Sequence, residues 1–276
     1  MKIIPANGAN IPAIGFGTWT LDDKGAAHMV AKAVEAGYRH IDTAAMYQNE
    51  AGVGEGLKAS GIARGDVFVT TKIWHDQIGD GALQASLERS LDKLGLDHVD
   101  LALIHWPSKV TPLAESVAAL NDAKTRGMAR HIGVSNFTIP MIEEASRLSD
   151  APLACNQIEY HPLLDQDRVI AACRTEGMAV TAYCPLARGA ALFADPAVAG
   201  PAAAHGVGPA QIILRWHMQQ DGVVAIPRTS KPERLAENAD VFGFELSEDE
   251  MAAISALRVR GHRICDFEFA TEWDAA

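Results

Sequence analysis

An eight-stranded parallel α/β barrel, a (β/α)8 fold opened by a short β-hairpin and followed by a tail over its mouth, is what this sequence predicts. Short β-like runs alternate with amphipathic helical stretches along the chain, and eight such alternations favour a closed parallel barrel over an open sheet. The 276 residues suit a barrel folded as one unit. No linker, low-complexity tract or second domain interrupts them, so residues 1–276 are expected to form a single domain.

The hairpin is predicted from the Asn7-Gly8 turn. Strands are expected over residues 13–17, 38–42, 67–71, 99–104, 129–134, 154–158, 179–183 and 222–226, with helices between them, among others over 26–36, 79–94, 112–126 and 209–219. Asn49, Thr138 and Asp165 are candidate N-terminal caps, and Gly37, Gly61, Gly95, Gly127 and Gly177 are candidate helix stops. The competing fold, a doubly wound sheet, wants a Gly-x-Gly-x-x-Gly turn after its first strand. Here Gly15-Phe16-Gly17 is followed by Thr18, Trp19 and Thr20, so the third glycine is missing.

Composition narrows the functional classes. At 48% hydrophobic and 21% charged the chain can bury a large core and is not a disorder candidate. A net charge of −11 argues against nucleic acid, whose phosphates need clustered Lys and Arg. Any anion must then be captured by a few placed groups. Cys155, Cys173, Cys184 and Cys265 show no CxxC spacing, which suggests reduced, mostly buried thiols in the cytosol. The opening Met1-Lys2-Ile3-Ile4-Pro5 lacks a signal-peptide apolar core, and no run of about 18 apolar residues suggests a membrane span. The expectation is a cytoplasmic monomer without membrane or nucleic-acid partners. His131, His161 and His205 have no ligand-like spacing, and no metal is expected.

A barrel carries its active site at the C-terminal ends of its strands. Those ends, in order, are Trp19, Asp42, Lys72, His105, Ser135-Asn136, Gln157, Tyr183 and Arg228. Each can hydrogen-bond, carry charge or stack. Asp42, Lys72 and His105 end successive strands, and Tyr47 follows Asp42 closely. Together they make a proton-donating site without a nucleophile, which suits reduction of a carbonyl. Tyr is a poor acid, with a reference pKa near 10, so the Lys72 ammonium is expected to bring it down, with Asp42 holding Lys72 in place. A neutral His105 would orient the carbonyl and share the proton transfer. Trp19, Trp74 and Trp106 read as apolar pocket walls, and Trp216, mid-helix, as core. Taken singly, Asp42 and Lys72 could be a structural ion pair, Tyr47 a half-buried aromatic and His105 a core histidine. At adjacent strand ends, the joint reading as a site is favoured.

These segments resemble the aldo-keto reductases. Gly37-Tyr38-Arg39-His40-Ile41-Asp42-Thr43-Ala44 with Tyr47 and Asn49-Glu50 is similar to that family's first signature. Thr71-Lys72-Ile73-Trp74 and Ile104-His105-Trp106-Pro107 resemble its lysine and histidine segments. Gly133-Val134-Ser135-Asn136-Phe137 and Asn156-Gln157-Ile158-Glu159-Tyr160 resemble its nicotinamide-binding stretches, and Ile226-Pro227-Arg228-Thr229-Ser230 through Arg234, Glu237 and Asn238 its cofactor-phosphate segment. The resemblance covers nearly the whole chain. It implies a barrel, NADPH as cofactor and Tyr47 as proton donor. By the same matching, Ser135, Asn136 and Gln157 would hold the carboxamide and Tyr183 would stack on the nicotinamide. Thr18, Trp19, Asp42, Pro185, Leu186, Arg188 and the residues from Pro227 to Asn238 named above complete the implied cofactor set.

The finer similarity is to the bacterial-type 2,5-diketo-D-gluconate and methylglyoxal reductases, which implies small aldehydes, ketones, 2-oxoaldehydes or keto sugar acids as substrates. Thr70-Thr71-Lys72-Ile73-Trp74 and the ending Glu272-Trp273-Asp274 carry it. The short connection from Ser108 to Pro112 suggests an open pocket. Arg228 stands where the family usually has Lys, which keeps the charge and adds a bidentate fork. Residues 260–269 depart further and are expected to line the substrate pocket. A rival of another class is a non-catalytic, nucleotide-sensing or partner-binding barrel, which would have no need of all four polar groups.

Overall fold

The computed structural model describes residues 2–274. A two-stranded antiparallel sheet, β1 (Ile3–Ala6) and β2 (Ala9–Pro12), precedes the barrel. Asn7 and Gly8 both take positive φ at its turn, as the sequence predicts. The barrel strands are β3 (Phe16–Gly17), β4 (His40–Asp42), β5 (Phe68–Ile73), β6 (Val99–Ile104), β7 (Ala129–Ser135), β8 (Leu153–Glu159), β9 (Ala179–Tyr183) and β10 (Val223–Ala225), each paired parallel to the next. Between and after them run α1 (Asp23–Glu35), α2 (Glu50–Ser60), α3 (Ala82–Leu94), α4 (Leu113–Thr125), α5 (Ile139–Leu148), α6 (Asp167–Thr175), α7 (Ala190–Phe193), α8 (Pro196–His205), α9 (Pro209–Met218), α10 (Glu233–Ala239) and α11 (Glu248–Ser255). Every residue of β5, β6 and β8 is buried, as expected of parallel strands covered by helices outside and side chains inside.

The seam between first and last strands closes through a parallel bridge from Ile14 to Ala225, with Gly15 N donating to Ala225 O and Ala225 N to Ala13 O, both at 2.9 Å. This explains the two glycines that resemble the start of a dinucleotide turn. A Cβ on Gly15 would lie 2.7 Å from His40 Nδ1, and one on Gly17 would lie 2.9 Å from the Ile226 carbonyl oxygen. Only a bare backbone lets the seam close. The same seam shortens the two outer strands. The first has regular pairing only over Phe16–Gly17 and the last only over Val223–Ala225.

Helix boundaries shift where local capping differs from the predicted pattern. α1 begins at Asp23, not residue 26, because Asp22 caps it by accepting from Gly25 N at 2.7 Å. Asn49 and Thr138 occupy N-cap positions, yet neither side chain caps. Asp274 in the tail instead accepts from Ile139 N at 2.9 Å. Asp165 lies one residue before the cap position of α6 and accepts from Asp167 N. Gly61 and Gly95 are the C-caps of α2 and α3, while Gly37, Gly127 and Gly177 each follow one, and all five have positive φ. Among the described residues, no helix is long and apolar enough to cross a membrane.

Candidate active site

Asp42 ends β4, and the chain then folds back through a single 3₁₀ turn, Ala45–Tyr47, stopped by Gln48 at φ 57°. This turn carries Tyr47 back over the barrel mouth. Asn49, whose side chain does not cap α2, braces the loop. Its Oδ1 accepts from Thr43 Oγ1 at 3.0 Å, and its Nδ2 donates to the carbonyls of Thr18 and Leu21 at 2.9 Å each. One buried amide thus ties the rim loops after β3 and β4 together, a role that needs the tertiary neighbours to be seen.

Lys72, in β5, is fully buried. Its Nζ donates to Asp42 Oδ1 at 2.5 Å, to the Thr43 carbonyl at 2.9 Å and to Tyr47 Oη at 3.2 Å. The other Asp42 oxygen accepts from Gln157 Nε2 at 2.7 Å. The charge pair is therefore saturated on both sides, the condition under which burial of an ion pair is tolerated. Burial pulls the Lys72 pKa down, but Asp42 and Tyr47 outweigh it, so the ammonium is held above its ordinary value.

Tyr47 departs from the predicted direction. Burial pushes its hydroxyl up, and the nearby Lys72 charge opposes this without overcoming it, so the pKa is raised, not lowered. Desolvation of a phenolate exceeds one stabilising cation when that cation is itself shared with a carboxylate. His105, just past β6, has its pKa well below the ordinary value through burial, the Lys72 charge and His75. The imidazole is neutral, its Nδ1 is buried without a partner, and its ring meets Tyr47 edge-on at 5.6 Å.

Above these groups lies a cavity of about 700 Å³. Trp19, Trp74 and Trp106 line it with Tyr47 and His105, as do Thr18, Asn136, Gln157 and Tyr183. Pro185, Leu186 and Arg188 follow Tyr183 along one side, while Pro227, Arg228 and Arg234 lie on the lining as well. Lys72 is sealed beneath Tyr47 and does not line the cavity. Ser135 is likewise buried, donating to the Gln157 carbonyl at 2.8 Å. Asn136 takes a left-handed φ of 62°, a conformation Asn tolerates better than most residues. Its Nδ2 donates to the His105 carbonyl at 3.0 Å, and its Oδ1 accepts from Tyr183 Oη at 2.8 Å.

Neither Thr229 nor Ser230 caps the following helix. Pro232 holds the N-cap position of α10, and Thr229 Oγ1 accepts instead from Lys231 N at 3.0 Å. Arg228 is exposed and has its Nε on the Trp19 carbonyl at 3.2 Å. Arg234 is also exposed, as are Ser230 and Glu237, whereas Thr229 and Asn238 are buried behind the lining. Lining residues not singled out from the sequence include Met46, Cys184, Phe193 and Ile226. Met46 and Ile226 adjoin predicted site residues, but Phe193 sits on α7 with no local signal. Phe267 and Phe269 arrive from the tail, as expected, with Cys265 beside them. All four cysteines are free thiols.

The arrangement can hold a carbonyl against a phenol, an imidazole and apolar walls, with amide groups and the arginines Arg188, Arg228 and Arg234 also on the lining. Comparison with known proteins agrees with this chemistry. The model of the aldo/keto reductase family matches residues 13–259. The chain is 42% identical over 267 residues to a methylglyoxal reductase, DkgB, of Escherichia coli O157:H7, spanning 96% of this chain and 99% of that one. A crystal structure described as that of a 2,5-diketo-D-gluconic acid reductase B superposes with a TM-score of 0.96 at 46% identity, covering 100% of this chain and 98% of the other. An aldo-keto reductase of Bombyx mori, crystallised in complex with NADP, superposes with a TM-score of 0.90 at 35% identity over 98% and 97% of the two chains.

Proposed function

The chain belongs to the aldo/keto reductase family, and we propose that it reduces small aldehydes and ketones with NADPH, Tyr47 supplying the proton. The family makes it an oxidoreductase acting on carbonyls. The carrying observation is the buried chain Asp42–Lys72–Tyr47, which opens onto a cavity that His105 also faces.

The residues present fit a nicotinamide dinucleotide. The cavity has the volume of a small-molecule site, Asn136 and Gln157 bring amide groups to its lining, and Arg228 and Arg234, in the segment after β10, are lining cations that are also exposed. Bound there, NADPH supplies hydride. Asn136, Gln157 and buried Ser135 would hold the carboxamide, and Tyr183, fixed by its bond to Asn136, would offer its ring face. The arginines would meet the 2′-phosphate by charge-assisted hydrogen bonds, with Thr18, Pro185, Leu186, Arg188, Pro227, Thr229, Ser230, Glu237 and Asn238 around the rest.

Hydride arrival leaves negative charge on the carbonyl oxygen. Tyr47 gives its proton to that oxygen, and the Lys72 ammonium stabilises the phenolate left behind. Asp42 and the Thr43 carbonyl keep Lys72 pointed at Tyr47. Neutral His105 donates a hydrogen bond to the same oxygen and fixes its direction. Trp19, Trp74 and Trp106 exclude water, which strengthens each of these interactions. The raised Tyr47 pKa keeps the phenol protonated through neutral pH. In the reduction direction the donor is thus always loaded.

For substrates, 2-oxoaldehydes such as methylglyoxal and keto sugar acids such as 2,5-diketo-D-gluconate are supported by what the similar proteins are called. The test is loss of NADPH absorbance with purified protein and methylglyoxal, followed by a carbonyl panel ranked by kcat/KM. Turnover with at least one small carbonyl is expected. Tight NADPH binding without turnover on any member would favour a sensing barrel instead.

A further inference from the structure

Strand side chains two apart point to the same side of a sheet. Gln157 of β8 lines the cavity, so Glu159 points the same way, beyond Gln157 and beside Tyr183, its register partner on β9. A carboxylate there should meet water at the barrel mouth. Instead Glu159 is completely buried, because the tail lies across it. Oε1 accepts from Ile264 N at 2.6 Å and from His161 Nε2 at 2.9 Å, and Oε2 accepts from Cys265 N at 2.7 Å. Two successive backbone N–H groups of the tail thus converge on one interior carboxylate.

Just past that clamp the tail turns its aromatic residues toward the reaction site. Phe269 sits edge-on to Trp74 at 5.2 Å and to Trp106 at 5.3 Å, and stacks on Phe267 at 5.1 Å. Both phenylalanines line the cavity, whereas Glu159 does not. Farther along, Asp274 is fixed on the N-terminus of α5. The aromatic segment is therefore strung between two carboxylate attachments, one on β8 and one on the tail itself.

We propose that Glu159 is a positioning residue for substrate binding: its carboxylate clamps the backbone at Ile264 and Cys265 so that Phe267 and Phe269 form the outer wall of the carbonyl pocket. The inference rests on the carbonyl-reductase reading of this site and assigns part of its substrate affinity to a group that touches neither substrate nor cofactor. The charge on Glu159 matters, because a carboxylate can accept all three bonds at once. Burial pushes its pKa up, but the bonds from His161, Ile264 and Cys265 outweigh this and hold it below the ordinary value. The amide of Glu159→Gln has only one acceptor oxygen and turns an NH₂ toward an N–H donor.

The test compares Glu159→Gln, the isosteric change, with Glu159→Asp and Phe269→Ala in three measurements. Loss of charge-assisted bonds typically changes an equilibrium by about one to two orders of magnitude. Glu159→Gln is expected to raise the carbonyl KM about tenfold or more with kcat changed far less, while NADPH affinity by fluorescence titration stays within about twofold. Trypsin should cut the tail at Arg260 or Arg263 several times faster than in wild type, and Glu159→Asp should recover part of both effects. Glu159→Gln combined with Phe269→Ala should raise KM little beyond the larger single change, because both remove the same wall.

An unchanged KM with faster tail cleavage would overturn the proposal, as would independent, multiplying losses in the double variant. Unaltered cleavage in Glu159→Gln would also sink it. The two readings fail separately. Absence of wild-type turnover counts against carbonyl reduction, whereas tail cleavage reports on the Glu159 clamp with or without turnover.

Discussion

The Asp42–Lys72–Tyr47 group and the arginine segment of the cavity are built in opposite ways. Around Tyr47, the charged groups Asp42 and Lys72 are almost fully buried, come from adjacent strands and have every polar atom of the pair engaged at 2.5–3.2 Å. Around Arg228, the charged side chains are exposed, Arg228 has one long bond to the Trp19 carbonyl, and the helix that follows is a short one without a side-chain cap. The desolvation cost of the first group falls on folding, so its geometry is in place before any substrate arrives. The second group keeps its charges in water, where ordering them costs free energy only when an anion binds. A proton donor needs the former. A cofactor that must be exchanged at each turnover is served by the latter.

The sharpest way to break this contrast is at Tyr47, the proposed proton donor. Tyr47→Phe removes a hydroxyl and leaves the ring that meets His105. Turnover should fall by about 10²–10⁴-fold, the usual worth of general acid catalysis, with NADPH affinity unchanged by fluorescence titration. Retention of more than about a tenth of wild-type kcat, under conditions where chemistry limits the rate, would remove Tyr47 from its assigned role.

Stability should respond next. Lys72→Met leaves Asp42 buried with Gln157 as its remaining side-chain partner, and breaking a buried pair in this way typically costs about 3–5 kcal/mol. Urea unfolding should show that loss together with crippled turnover. Asp42→Asn should lower kcat less than Lys72→Met, because it loosens the ammonium without deleting it. The reverse order would mean that Asp42 does more than hold Lys72.

At the arginine segment, Arg228→Gly should weaken NADPH by about one to two orders of magnitude, the equivalent of one charge-assisted phosphate contact. NADH affinity and unfolding free energy should barely move, since Arg228 is exposed. Equal losses for both cofactors would show that this segment does not read the 2′-phosphate.

The remaining effect expected is with pH. His105 is held well below its ordinary value, and burial pushes His217 down to about 3. Both histidines are neutral in the folded state, whereas the unfolded chain takes up protons below about 6.5. Stability from these groups is therefore present above that pH and lost as pH falls toward their folded values, by at most about 1.4 kcal/mol per pH unit for each. Unfolding followed from pH 8 to pH 5 should show this decline, and His217→Gln should flatten it. A pH-independent midpoint would mean that these imidazoles are not kept neutral by the fold.

The strand ends carrying Asp42, Lys72, His105, Asn136, Gln157, Tyr183 and Arg228 were legible in the sequence. Each closes a short apolar run, and in a parallel barrel such ends converge wherever the chain wanders between them. The aromatic walls followed from the same logic, and the acidic net charge led to the expectation that any anion is captured by a few placed groups. Local rules failed where a distant segment competed with them. Asn49 is drawn from its cap position by the carbonyls of Thr18 and Leu21, Thr138 is relieved of capping by Asp274, and Gly15 and Gly17 answer to the seam with Ala225 and Ile226.

The order of polar and apolar residues along the chain determined which groups stand at the barrel mouth, because strand periodicity and strand termini are local properties. Burial decided what those groups are chemically. The rise in the Tyr47 pKa, the neutrality of His105 and the clamp of Glu159 on Ile264 and Cys265 depend on which atoms exclude water and supply charge. Desolvation and long-range contacts are properties of the packed molecule, and no stretch of the sequence carries them alone.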